Sequence, residues 1–176
     1  MNTNVNKNDR REERVKTVLC YVKMFIISVI ITVSLFLFVT PGIVSGTSMQ
    51  PNFFAGDRFF IVKDWLIEEY EYGDVVCVNA KDKMIIKRII GLPGDRIEIK
   101  NGSVYRNGEL IDESKYLPNG TKTLCECEYP DVFEIGEGEY FVLGDNREVS
   151  LDSRRIGTVS NIVGKAKFLY CRSWFT

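Results

Sequence analysis

A chain of 176 residues with a formal net charge of −1, 45% apolar and 27% charged residues has the composition of one globular domain plus an appendage. That balance argues against a disordered chain and against an electrostatic nucleic-acid binder. There is no histidine, which excludes Ser-His-Asp and Cys-His mechanisms, HExxH metalloproteases and His-ligated zinc, so any hydrolytic chemistry must use another base.

The charge is unevenly spread. Before residue 41 there are six Lys/Arg and three Asp/Glu, a net of +3, and the remainder carries −4. From Met24 to Thr40 there is no charge, and Val18 to Val22 extend this apolar run to the length of a membrane span, with Lys23 able to snorkel to the headgroups. The pattern predicts a tail over 1–17, a transmembrane anchor in the lipid bilayer over 18–40 and a folded body over 41–176. A core helix this apolar on every face would need a larger protein around it. A cleaved secretory signal shares the basic-then-apolar order, but its apolar region runs only about 7–15 residues. No Lys or Arg follows the run until Arg58, so the positive-inside rule predicts a single-pass cell-membrane protein, N-terminus cytoplasmic and body extracytoplasmic.

Beyond Gly46 the sequence reads as short β-type runs separated by turn signals. Strands are predicted over 58–63, 74–78, 84–90, 96–100, 104–106 with 110–111, 140–143 and 163–170. Asn101-Gly102 and Asn107-Gly108 are hairpin dipeptides, and the run Gly91-Leu92-Pro93-Gly94-Asp95 is a turn. Residues 112–138 are acidic and strand-poor, an excursion from the main sheet system. The expected fold is mainly β, an antiparallel, barrel-like body with a short excursion, on one N-terminal transmembrane helix. Beyond Cys20, the cysteines Cys77, Cys125, Cys127 and Cys171 allow three pairings and equally suit small apolar positions in a β domain.

Three segments carry candidate chemistry. Ser45-Gly46-Thr47-Ser48-Met49-Gln50-Pro51 is a loop able to present a serine hydroxyl, although such clusters are commonly only loops. Lys87 lies in a strand with Ile85 and Ile89 on its alternating face. Desolvation there, helped by a neighbouring charge such as Arg88, would lower its pKa, whereas an exposed edge would make it a guard against aggregation. The third segment, Gly144-Asp145-Asn146-Arg147 with Ser150, Asp152, Ser153 and Arg154, is either a surface turn or a buried network that orients a site. Together they suit a serine nucleophile activated by a neutral lysine.

In order and spacing, Gly46 to Pro51, Ile86 to Asp95 and Gly144 to Arg154 resemble the successive signature boxes of bacterial type I signal peptidases, Gram-positive in type. The resemblance implies Ser48 as nucleophile, Lys87 as general base and Ser150 as a hydroxyl bonded to the lysine. It implies Asp145, Arg147, Asp152 and Arg154, with Arg88, as the supporting network. Gly46, Met49, Ile85 and Ile86 fall in the oxyanion and substrate cleft, with the Ser48 N–H as oxyanion donor. The implied substrates are secretory preproteins with small residues at P1 and P3, and no cofactor or metal is implied. Asn52-Phe53 and Val149 depart from the commonest pattern and are expected to alter packing alone. Two rivals stay open: a related Ser/Lys processing protease, and a catalytically silent anchored β domain serving adhesion or assembly.

Overall fold

The structure, a computed structural model, describes residues 3–80, 83–125 and 132–170. The chain forms two units, Met1–Phe38 and Val39–Thr176.

The first unit is one helix, α1 (Thr3–Phe38). Within Arg10–Phe38 an 18-residue window has a mean hydropathy of 2.3 and no buried residues, so by length and composition the helix can cross a bilayer. Its apolar side chains, Phe25, Ile30 and Phe36 among them, are exposed on all sides. The helix ends two residues before the expected end of the anchor, because Val39 and Thr40 enter the first strand.

The second unit is built of antiparallel strands in two sheets. A six-stranded sheet runs β1-β2-β10-β3-β4-β9, comprising β1 (Val39–Ile43), β2 (Arg58–Lys63), β3 (Val75–Ala80), β4 (Lys83–Gly91), β9 (Phe141–Leu143) and β10 (Ile162–Tyr170). A four-stranded sheet runs β7-β6-β5-β8, comprising β5 (Arg96–Lys100), β6 (Ser103–Arg106), β7 (Glu109–Leu110) and β8 (Val132–Glu134). The mainly antiparallel β body with one apolar N-terminal helix is therefore what the sequence pattern predicts. Four elements were not foreseen, one of them a 3-10 turn over Asp64–Leu66 after β2. β1 is hidden in the apolar run, β8 lies inside the acidic excursion, and a single turn of helix, α2 (Ser153–Ile156), follows β9.

Alternation explains the packing. In β2, Phe59 and Ile61 turn inward, and in β5 Ile97 and Ile99 do the same. One face of the large sheet buries Phe59, Ile61, Cys77 and Ala166 with Met49 and Val44 from the β1–β2 connection. A second cluster gathers Val76, Val78, Ile89, Val142 and Val159. The third joins the two sheets through Ile90, Ile97, Val104, Phe133, Phe141 and Leu143. Burying one such side chain contributes about 1.5–3 kcal/mol. Both Asn-Gly dipeptides form the hairpin turns expected of them. Asn101 and Gly102 have φ of 54° and 78°, and Asn107 and Gly108 have 54° and 87°, the double-positive signature that matches strand twist.

Cys77 is a free buried thiol and Cys125 is disulfide-bonded; Cys127 and Cys171 lie outside the described residues.

Candidate active site

Ser48 sits in the connection between β1 and β2, on a turn closed by Gln50 N–H donating to Thr47 O (3.2 Å) and Phe53 N–H to Met49 O (2.9 Å). Met49 is 2% exposed and roots this turn in the core. Lys87 lies in the middle of β4, opposite Val76 of β3 and one residue before the stretch that pairs with β9, and its burial rules out an exposed guard against aggregation. It is 2% exposed. Its Nζ lies 2.7 Å from Ser48 Oγ and donates to Ile86 O at 2.8 Å.

Burial pulls the Lys87 amine down from 10.5 to about 8, against the opposing pull of the Asp152 and Asp145 carboxylates. The expected help from Arg88 does not enter. Its guanidinium is committed to Asp145, with Nε on Oδ1 at 2.8 Å and Nη2 on Oδ2 at 2.6 Å, and it lies over the Tyr116 ring at 4.4 Å.

The loop after β9 holds the Ser48 turn from behind. Asn146 donates its N–H to Ser48 O (2.9 Å) and its side-chain amide to Thr47 O (3.2 Å). The loop is itself pinned by two buried arginines. Arg147 donates to Gly144 O (3.0 Å), to Thr123 Oγ1 and to both oxygens of Glu113 (2.6 and 3.1 Å). Arg154 forms a two-point pair with Asp152 (2.9 and 3.0 Å) and reaches Arg147 O (2.7 Å) and Leu124 O (2.9 Å). Asp152 also caps α2 and accepts from Gly144 N–H at 3.0 Å. Such charge-assisted, bidentate bonds are the strong, directional ones.

Gly144 is where the loop and the Ser48 turn touch. A Cβ there would overlap Ser150 Oγ and the Ser48 carbonyl, whereas one on Gly46 would meet nothing within 4 Å.

One assignment made by resemblance is not met. Ser150 is 2% exposed, but its Oγ has no hydrogen-bond partner among the described residues, and the partners of Lys87 are Ser48 and Ile86. Its backbone is engaged instead, its N–H donating to Asn146 O at 3.1 Å. The departures from the common pattern divide similarly. Phe53 stacks on Phe168 at 3.8 Å, a packing role, and Val149 is exposed. Asn52 is polar machinery: its amide donates to Asp145 Oδ2 (2.8 Å) and to Tyr116 O (2.6 Å).

Sequence reasoning also passed over Glu113, Tyr116 and Thr123, all from the excursion. Tyr116 O–H donates to Glu113 Oε1 at 2.9 Å, and burial with the adjacent Glu113 charge pushes its phenol up. Single polar residues in an acidic stretch carry no periodic signal.

A groove of about 330 Å³ leads to the pair. Gly46, Ser48, Met49, Ile85, Ile86 and Lys87 line it together with residues 40–44 of β1 and beyond. The Ser48 N–H donates to no group among the described residues. A larger cleft of about 780 Å³ touches Asn52, Arg88 and Tyr116 but neither Ser48 nor Lys87.

The family model "Signal peptidase, peptidase S26" matches residues 16–172. Signal peptidase I S of Bacillus subtilis is 35% identical over 168 residues, covering 88% of this chain and 90% of the relative. Signal peptidase IB of Staphylococcus aureus is 36% identical, covering 75% and 78%. A solved structure of a signal peptidase I from Enterococcus faecalis is 28% identical with a TM-score of 0.47, covering 56% of this chain and 97% of that one. The chain belongs to the signal peptidase family, peptidase S26, and within it to signal peptidase I.

Proposed function

We propose that the chain is a membrane-anchored serine endopeptidase that removes signal peptides from secretory preproteins, with Ser48 as nucleophile and Lys87 as general base. The 2.7 Å contact between Ser48 Oγ and a desolvated Lys87 amine carries the reading.

In its neutral form Lys87 offers a lone pair to the Ser48 O–H, while Ile86 O holds one amine N–H and so fixes the rotation of the group. Ser48 Oγ attacks the scissile carbonyl as its proton passes to Nζ. The resulting ammonium protonates the leaving amine as the peptide bond breaks, leaving an ester on Ser48. Neutral once more, Lys87 takes a proton from water, whose hydroxide attacks the ester and releases the signal peptide with Ser48 restored. The Ser48 N–H, which donates to no group among the described residues, is the proposed oxyanion donor. Asp145, Arg147, Asp152 and Arg154 act through the loop that holds Ser48.

An extended substrate adds a strand beside Ile85 and Ile86 in the groove, and the resemblance implies small residues at P1 and P3. The apolar part of α1 serves as the bilayer anchor. The +3 balance before residue 41 supports a cytoplasmic tail over 1–17 and an extracytoplasmic body beyond the anchor.

The test is cleavage of an Ala-x-Ala preprotein by the full chain in detergent. Ser48→Ala and Lys87→Ala are each expected to lose at least about 10³-fold in kcat. Undiminished cleavage by either variant would overturn the assignment, and a wild-type chain that cleaves nothing would favour a silent β domain.

A further inference from the structure

We propose that Asn52 is a positioning residue for the Ser48–Lys87 pair, a role that rests on the function proposed above. Its amide nitrogen spends both donors on acceptors from two other segments. One is Asp145 Oδ2 in the loop after β9, and the other is the Tyr116 carbonyl in the excursion. The Asp145 side chain is fully buried and is gripped at the same time by Arg88, the residue next to Lys87. The amide therefore joins the segment that carries Ser48 to the segment that carries Lys87, through one shared carboxylate.

The geometry makes this more than an extra bond. The Ser48 turn is held to the loop after β9 at one end by Asn146, through Ser48 O and Thr47 O. Met49 roots the turn in the core, but the turn's polar hold on neighbouring segments would be one-sided with Asn146 alone. Asn52 supplies the second attachment, four residues on, across a turn already stiffened by Phe53 N–H on Met49 O. Two attachments fix the direction in which Ser48 Oγ points, and misplacing a reacting atom by about 1 Å can cost about 100-fold in rate. The excursion thereby acquires a task, since Tyr116 also supports Arg88 by its ring and Glu113 by its hydroxyl.

The test compares Asn52→Ala and Asn52→Asp in the full chain with Val104→Ala, a cavity in the joint between the sheets that lowers stability away from the site. Asn52→Asp keeps the size and branching of the side chain while removing both donors. Preprotein cleavage is measured as kcat and KM separately, alongside melting temperature. Both Asn52 variants are expected to lose about 10- to 100-fold in kcat with KM within about twofold, since the groove itself is unaltered. Val104→Ala is expected to melt lower and keep its kcat. Turnover within twofold of wild type in the Asn52 variants overturns the proposal, as does a loss in kcat no greater than that of Val104→Ala. Cleavage that survives Ser48→Ala would instead remove the reading of the site, and the positioning role with it.

Discussion

Lys87 has two consequences, one for activity and one for stability, that fall in different pH windows. With Lys87 as the proposed base, activity is expected to follow the neutral amine, kcat/KM rising about tenfold per pH unit below pH 8 and levelling off above it. Stability follows proton uptake. Between about 8 and 10.5 the unfolded chain holds a proton that the folded chain does not, so stability rises with pH through that window. At neutral pH both states are protonated, and burying the ammonium costs the folded state about 3 kcal/mol. Lys87→Met should therefore be inactive yet melt higher than wild type at pH 7, with the gap closing above pH 10; equal melting at both pH values would show that Lys87 is not desolvated. The two glycines of the site make a second residue-scale pair. Gly144→Ala forces a methyl against the Ser48 carbonyl and the Ser150 hydroxyl, and overpacking of this kind costs about 1–3 kcal/mol. Displacement of the Ser48 turn should cut turnover as well. Gly46→Ala, facing open space, should leave the melting temperature within a degree or two. Equal melting of the two variants would contradict the packing described.

At the scale of elements, the loop from Gly144 to Arg154 is a clasp closed by one carboxylate. Asp152 caps α2, pairs with Arg154 and accepts from Gly144 N–H. Asp152→Ala leaves the Arg154 charge buried without its partner, a loss of about 3–5 kcal/mol, and chemical denaturation should show it together with a fall in activity. Ser150→Ala removes a buried hydroxyl that has no partner among the described residues, so its stability should be unchanged or higher; a loss above about 1 kcal/mol would reveal a bond from that hydroxyl. The strong boxes and the hairpins were legible in the sequence because each rests on local chemistry: Asn-Gly for the turns, alternation for β2 and β5, an amine amid isoleucines for Lys87. β1 was not legible, since a short strand of Val39-Thr40-Pro41-Gly42-Ile43 at the end of an apolar run has no hydropathy contrast with the helix before it. β8 has only three residues, too few for a period. α2 could have been found, because Asp152 before Ser-Arg-Arg is an N-cap signal. Glu113, Thr123 and Asn52 could not, since their importance lies in partners about 24 to 93 residues away.

For the molecule as a whole, the division at Phe38 predicts that a chain starting at Val39 folds and cleaves a soluble peptide. A chain starting at Pro41 loses the pairings Val39↔Val62 and Thr40↔Ile61 and one wall residue of the groove, Thr40. It should melt lower and turn over more slowly, and equal behaviour of the two chains would show β1 to be dispensable. The strand order β1-β2-β10-β3-β4-β9 has a temporal consequence. The strand latest in chain order, β10, lies in the interior of the large sheet and separates β2 from β3, which follow each other in sequence. During synthesis the four-stranded sheet can assemble early from neighbouring hairpins, but β2 and β3 each keep a bare edge until Ile162 onward has emerged, and such edges are templates for mispairing. Lys87 is carried on the strand next to β3, and Ser48 on the connection leading into β2. The hydroxyl and the amine are therefore expected to meet in their final register only once β10 has emerged and slid between the two halves, so the proposed activity should be absent from any chain interrupted before Ile162.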